Sequence, residues 1–197
     1  MNHREYFNQL ASKWDQMTPE ETRARLPQLI DNLAIKPGDS ILDVGCGTGI
    51  LIPLLYKAAG EAGMIVSLDI AEEMLKQARN NDHPKSIHYI QADAAAIPLS
   101  EETFDIVVCY SCFPHFLDKP RAMAEMARVL RNGGRLAICH TASRQEINEL
   151  HKSIGNTVSN DTIPDEAAMQ KLLAASGLKP IEIRDESHRY LVIATKY

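Results

Sequence analysis

The sequence predicts a doubly wound α/β domain: a seven-stranded, mostly parallel sheet with its last strand antiparallel, and helices on both faces. Three observations carry that expectation. Short apolar runs of strand length alternate with stretches whose apolar residues recur at helical spacing, the pattern of successive βαβ units. The first run, Ile41-Leu-Asp-Val-Gly-Cys-Gly-Thr-Gly49, ends in an acidic residue and three alternate glycines, and helical spacing returns at Ile50, Leu51, Leu54 and Leu55. Such a strand stops in a tight turn at a helix N-terminus, where backbone can approach a ligand closely. The last two runs, Ile181-Glu-Ile183 and Tyr190-Leu-Val-Ile-Ala194, make a final antiparallel pair.

Length and composition set the bounds. A chain of 197 residues holds one well-buried domain with a modest appendage and is too short for two full domains. A hydrophobic fraction of 45% with 24% charged residues is that of an ordinary globular protein. No apolar run approaches the ~20 residues of a membrane span, and Met1-Asn-His-Arg-Glu-Tyr6 leads into a mixed polar segment rather than a secretory signal. The expectation is a cytoplasmic protein, monomeric or homodimeric. A net charge of −5 argues against a duplex nucleic-acid partner and for a small molecule. Cys46, Cys109, Cys112 and Cys139 all fall in or beside buried strands and read as reduced structural thiols.

Taken in order, Tyr6, Phe7, Leu10, Ala11 and Trp14 predict a short amphipathic helix within residues 2–17. Thr18-Pro-Glu-Glu21 supplies an N-cap, a first-turn proline and acidic residues favoured by the helix dipole. The helix that follows puts Leu26, Leu29, Ile30 and Leu33 on one face, with a kink expected at Pro27. Lys36-Pro-Gly-Asp39 turns into the first strand, and Gly60-Glu-Ala-Gly63 ends the helix after the glycine loop. Met64 to Leu68 form a second strand closing at Asp69, a helix runs through Met74, Leu75 and Ala78, and Ile87 to Ile90 form a third strand. Phe104 to Tyr110 make the fourth. Asp118-Lys-Pro120 starts a helix with Met123, Met126, Ala127 and Leu130 inward, Asn132-Gly-Gly134 ends it, and Gly134 to Cys139 make the fifth strand. Within residues 141–163 the pattern is weakest: Ser143 to Leu150 reads as helical and Gly155 to Asp161 as a loop. Pro164 to Ala175 predict a helix with Met169, Leu172 and Leu173 inward and Gly177 as its stop.

The glycine loop is Gly45-x-Gly47-x-Gly49. A dinucleotide fingerprint needs G-x-G-x-x-G, and its third glycine would fall at Ile50. The stretch Leu42-Asp-Val-Gly-Cys-Gly-Thr-Gly49 instead resembles the first motif of the class I S-adenosylmethionine-dependent methyltransferases. The resemblance continues through Ala92-Asp-Ala-Ala-Ala-Ile-Pro-Leu-Ser100 and Glu101-Glu-Thr-Phe-Asp-Ile-Val-Val108: an aspartate after strand three, a proline-containing loop, and Phe-Asp entering strand four. It covers residues 40–140 with its signals in order. It implies a single small-molecule methyltransferase domain over 1–197, EC 2.1.1.-, Rossmann-like, with S-adenosyl-L-methionine as cofactor. Within it, 1–35 would be an N-terminal helical lid, 36–140 the cofactor-binding core, 141–163 an acceptor-side insertion, and 164–197 the C-terminal helix and strand pair.

Ligands of doubly wound sheets collect at the carboxyl ends of the strands. The cofactor-binding residues expected there are Asp43, Gly45, Cys46, Gly47, Thr48, Gly49, Asp69, Ile70, Met74, Asp93, Ala94 and Tyr110. Asp69, 20 residues beyond Gly49, can accept from both ribose hydroxyls of an adenosine, whichever cofactor carries it. Asp93 can accept from the adenine amino group while the next backbone amide donates to the ring. Asp43 either caps the loop amides or meets the methionine amino group. Ile70 and Met74 wall the adenosine slot, with ordinary helix core as the second reading of Met74. Phe7 and Trp14 either close over the cofactor or brace the core.

The acceptor is expected from the ends of strands four and five, in a pocket of Phe7, Trp14, Ser111, Cys112, His115, His140 and His151. His115 and His140 are the candidate catalytic residues, as acceptor-positioning groups or bases near neutral pH. Tyr110-Ser-Cys-Phe-Pro-His115 stands where amino-methylating nucleic-acid enzymes carry an Asn-Pro-Pro-Tyr type motif, which disfavours a DNA-base acceptor. Cys109-x-x-Cys112-x-x-His115, with His140 and His151, lacks the second cysteine pair of a structural zinc site, so no metal is predicted. Two rival functions share the fold: a nicotinamide oxidoreductase, and a non-catalytic S-adenosylmethionine-binding module.

Overall fold

The computed structural model describes all 197 residues. Helices α1 (His3–Leu10), α2 (Trp14–Met17) and α3 (Glu20–Asp31) precede strand β1 (Ser40–Val44), which is followed by α4 (Ile52–Ala59), β2 (Met64–Asp69), α5 (Glu72–Asn80) and β3 (Ile87–Gln91). The second half comprises β4 (Phe104–Tyr110), α6 (Lys119–Val129), β5 (Leu130–His140), α7 (Arg144–Ile154), α8 (Glu166–Ala175), β6 (Leu178–Glu186) and β7 (Arg189–Lys196). The seven strands lie in the order β3-β2-β1-β4-β5-β7-β6. All neighbours up to β5 pair in parallel, and β7 runs antiparallel to both β5 and β6. No helix is long and apolar enough to cross a membrane.

Alternation along the strands splits the core between the two faces of the sheet. Leu42 and Val44 of β1 join Met123 and Met126 of α6 and Met169 and Leu173 of α8 in one cluster. Ile41, just before Leu42, points the other way, to Leu26, Leu29 and Ile30 of α3 and Ile52 and Leu55 of α4. Buried on both sides, β1 and β4 read as nearly continuous apolar runs, as central parallel strands must.

Local details depart from the sequence reading where capping and packing compete with periodicity. The amphipathic stretch at the N-terminus is not one helix: a 3-10 turn at Ala11–Lys13 separates α1 from α2. Thr18 does not cap α3; its hydroxyl donates back to the Trp14 carbonyl at 3.3 Å, and Pro19 takes the cap position. Pro27 is accommodated inside α3, which continues to Asp31. Helix α6 ends at Val129, so Leu130 is extended and buried in the sheet, paired with Phe104. The weakly patterned segment folds into α7 because Ser143 and Glu146 close a capping box, Ser143 Oγ taking the Glu146 amide and the Glu146 carboxylate taking the Ser143 amide at 2.7 Å.

Candidate active site

The topology places the site. The chain winds outward from β1 through β2 to β3 and returns to β4 beside β1, so a crevice opens between the carboxyl ends of β1 and β4. One cavity fills it. Its wall runs from His3, Phe7 and Trp14 across Gly45–Thr48 to Asp69, Ile70 and Met74, then along Ala92–Ala95, Tyr110–Cys112 and His115–Asp118. The expected cofactor and acceptor halves are thus one continuous space.

The three loop glycines serve different ends. A Cβ on Gly45 would lie 2.5 Å from Cys112 Cβ, so this glycine lets β1 and the end of β4 close together. Gly47, at φ 56°, would carry its Cβ no nearer than 3.7 Å to Trp14 Nε1, projecting it toward the cavity that Gly47 and Trp14 both line. Gly49 is not on the wall. Its Cβ would meet His83 Cε1 at 2.6 Å and Ile52 Cδ1 at 2.8 Å, which makes it a packing glycine and corrects its expected contact with cofactor. Thr48 lines the cavity, but its hydroxyl is spent on Asp15 Oδ1 at 2.6 Å, tying the loop to the N-terminal segment.

Asp69 fixes the loop's shape. Its Oδ2 accepts the Gly47 amide and its Oδ1 the Ala71 amide, both at 2.8 Å. A carboxylate offers about four lone-pair sites, so acceptor capacity remains for a hydroxyl donor. Burial pushes its carboxyl up to about 6, against the pull of the Ala71, Gly47 and Ile70 amides. Asp43 does not cap the loop, because the amides of Gly45 and Cys46 go to the Leu68 carbonyl and that of Gly47 to Asp69. It is 1% exposed, Oδ2 has no hydrogen-bond partner, and burial followed by the Asp69 charge raises its carboxyl to about 7. Asp69 lines the cavity, whereas Asp43 is not on its wall and directly precedes Val44, which is. A buried carboxylate on the wall with acceptor capacity left fits a ligand that brings hydroxyl donors. A sulfonium cofactor with a ribose diol has that character. Asp93 caps its own turn, Oδ1 accepting the Ala95 amide at 2.8 Å, with Ala94 buried behind it.

The N-terminal segment is docked on α5. Asn8 Oδ1 accepts the Glu73 amide at 3.0 Å, Arg4 pairs with Glu72, and Phe7, Trp14 and Ile70 pack on Ala11, Ala71 and Met74. Phe7 and Trp14 therefore brace α5 and line the cavity at once, and Met74 is both wall and core.

Beyond β4 the chain turns sharply at Ser111, whose φ is 52°, and Cys112 Sγ donates to the Val44 carbonyl at 2.9 Å. All four cysteines are buried free thiols. His115 sits on the wall with Phe7 edge-on to its ring at 4.9 Å. Its Nδ1 bonds Asp161 Oδ2 at 2.6 Å, and His3 Nε2 reaches the same oxygen at 2.8 Å. Burial lowers the His115 pKa, with Asp161 opposing. His151 lies behind this group: its ring is 4.8 Å from that of His115, and Nδ1 donates to the Asp161 carbonyl at 2.8 Å.

Two of the expected acceptor-side histidines are therefore misplaced in the sequence reading. His151, 8% exposed, and His140, 3% exposed, are not on the cavity wall. His140 packs toward Tyr190, its Nε2 has no partner, and burial together with His115 and His151 pushes it down to about 3. Off the cavity wall, and in surroundings that disfavour its imidazolium, His140 is badly placed to take a proton from an acceptor in this cavity. Among the residues missed are Phe116, on the wall next to His115, and the pair His3 and Asp161, 158 positions apart, which carry no local signal and meet only through the fold.

Comparison with known proteins agrees with this geometry. Residues 42–138 match a family described as a methyltransferase domain. The ubiquinone/menaquinone biosynthesis C-methyltransferase of Teredinibacter turnerae is 31% identical over 193 residues, which cover 94% of this chain and 72% of that protein. The protein of the same description from Vibrio parahaemolyticus is 34% identical over 142 residues, 68% of this chain but only 55% of the relative, so the match spans about half that relative's length. A solved S-adenosylmethionine-dependent methyltransferase from Aquifex aeolicus shares the fold over the whole of both chains, with a TM-score of 0.77 at 21% identity. Glycine loop, buried carboxyls, sheet order and sequence relatives converge on the first of the three functions left open above: the chain belongs to the class I S-adenosylmethionine-dependent methyltransferases.

Proposed function

We propose that this protein transfers a methyl group from S-adenosylmethionine to a small, flat, partly apolar acceptor bearing an ionisable group. The observation that carries the reading is the continuity of the cavity from Asp69 and Met74 to His115, with Trp14 beside Gly47, Phe7 in contact with both Trp14 and His115, and Phe116 next to His115. The bound cofactor supplies an activated methyl on a sulfonium. The chain's part is to hold the two reactants in line, which contributes up to ~7–11 kcal/mol by orientation alone. Asp69 and Asp93 take the ribose and adenine ends, Asp43 the cationic amino acid end, and Ile70, Met74, Ala94 and Tyr110 the faces of the slot. The aromatic side chains stack the acceptor, and His115 orients its polar group through Nε2, the ring nitrogen not engaged by Asp161.

The same reading assigns residues 1–35 to covering the cavity, 36–140 to the cofactor, 141–163 to the acceptor side and 164–197 to completing the sheet. It places the protein in the cytoplasm, as monomer or homodimer. Buried free thiols suit a reducing compartment, and a net charge of −5 suits a small-molecule rather than a polyphosphate partner. Ring-bearing acceptors such as hydroquinones and phenols are the first to screen, since two relatives are named for quinone biosynthesis.

The test is formation of S-adenosylhomocysteine with a phenol and hydroquinone panel. His115→Ala should reduce kcat about 10- to 100-fold with cofactor affinity unchanged, because the residue is assigned to the acceptor alone. His140→Ala should leave kcat per folded molecule near wild type. Wild-type turnover in His115→Ala would remove the acceptor from this end of the cavity.

A further inference from the structure

Three side chains from distant parts of the chain converge at the acceptor end of the cavity: His3 on α1, His115 in the turn after β4, and Asp161 after α7. One donor atom from each lies within 4.8 Å of the other two. We propose that His3 Nε2, His115 Nδ1 and Asp161 Oδ2 form a binding site for a divalent transition-metal ion. This deepens the acceptor reading above but concerns a site that stands without it.

The donor set chooses the class of ion. Two imidazoles and one carboxylate suit zinc, iron, cobalt or nickel, whereas magnesium and calcium ask for all-oxygen shells. Three protein ligands with positions left over are the pattern of open rather than structural sites. Here His3 and His115 line the cavity and Asp161 lies behind them, so the remaining positions face the cavity. Both imidazole contacts fall on the same carboxylate oxygen, at 2.8 and 2.6 Å. An ion with ~2.0–2.2 Å bonds replaces those hydrogen bonds once each imidazole nitrogen has parted from Asp161 Oδ2 by roughly 0.6–0.8 Å, for tetrahedral angles.

A supporting layer holds the ligands in place, as metal sites require. The Asp161 carbonyl accepts from His151 Nδ1, and its amide donates to the Val158 carbonyl at 3.0 Å. Phe7 fixes the His115 ring from the side. The cysteines are not part of it, since Cys112 Sγ is bonded to Val44 in the core. Absence of paired cysteines led the sequence reading away from metal, but this cluster uses none. With two neutral imidazoles and one carboxylate, a divalent ion keeps one positive charge and draws an anionic oxygen or thiolate of the acceptor toward it.

The experiment uses the full chain, stripped with chelator and dialysed, then titrated with Zn²⁺ by calorimetry and with Co²⁺ by visible absorption. One ion per chain is expected, with cobalt bands of low coordination number. His3→Gln and Asp161→Asn should each weaken binding by at least about 100-fold, while His88→Ala on the exposed edge strand should not change it. His3→Gln lies outside the sheet and reports even where Asp161→Asn disturbs the fold, which circular dichroism would show. Binding well below one ion per chain, or equal affinity in wild type and folded His3→Gln, overturns the site. S-adenosylmethionine affinity measured on the same metal-free protein tests the methyltransferase reading separately, and it should be unaffected by stripping.

Discussion

S-adenosylmethionine binding should be abolished in Gly47→Val, while the protein still folds. The Cβ at this position meets no neighbour closer than 3.7 Å, so the fold has room for a side chain; the room is the cavity itself. A branched side chain there occupies the approach of ligand to backbone. The backbone sets a second cost, because φ is 56° and a valine in the left-handed region is strained by ~1–2 kcal/mol. Gly38→Val separates the two effects: it has φ 90° and open space around it, so it should show the strain with wild-type cofactor affinity. Calorimetric titration and thermal melts of both variants check the pair. Wild-type affinity in Gly47→Val would remove the glycine loop from the cofactor site.

The second large effect is at Asp69. Loss of a charged acceptor for two ribose hydroxyls removes ~1.5–3 kcal/mol per bond, so Asp69→Ala should bind S-adenosylmethionine at least about 100-fold more weakly. The structure adds a consequence that sequence spacing does not reveal. The same carboxylate holds the Gly47 and Ala71 amides, so the alanine variant also strands two amide donors and lowers the melting temperature. Asp69→Asn retains the side chain's size and one carbonyl acceptor. It should recover part of the stability, since its carbonyl can accept only one of the two amides, while remaining weak for cofactor. Unchanged affinity in both variants would place the ribose elsewhere.

The fold was legible because its signals are local and repeated. An apolar run ending in alternate glycines predicts a central strand entering a tight turn, and β1 is buried with Gly45, Gly47 and Gly49 at positive φ; Asp69 had its own signal, an acidic end to the second strand. Their separate duties were not legible. That Gly49 packs on His83, and Gly45 on Cys112, depends on partners tens of residues away. Hydrogen-bond geometry removes the capping reading of Asp43, since the Gly47 amide goes to Asp69 and those of Gly45 and Cys46 to the Leu68 carbonyl. On the acceptor side the sequence failed in the expected direction. Topology brought His115 to the right end of the sheet, but could not say that β5 would bury His140 against Tyr190 or that Asp161 would draw His3 across the cavity mouth. Helix boundaries slipped where a cap or a local hydrogen bond outweighed periodicity, as at Thr18 and Leu130.

Trp14 offers the most direct test of the central claim, that this crevice is an S-adenosylmethionine site. It is the sole tryptophan of the chain and lines the cavity opposite Gly47. Its emission, followed while the wild-type protein is titrated with S-adenosylmethionine and separately with NAD, reports occupancy of that space. The account predicts a saturable one-to-one change with S-adenosylmethionine and none with NAD. An emission that stays constant into the millimolar range of S-adenosylmethionine, or that responds equally to NAD, would contradict it.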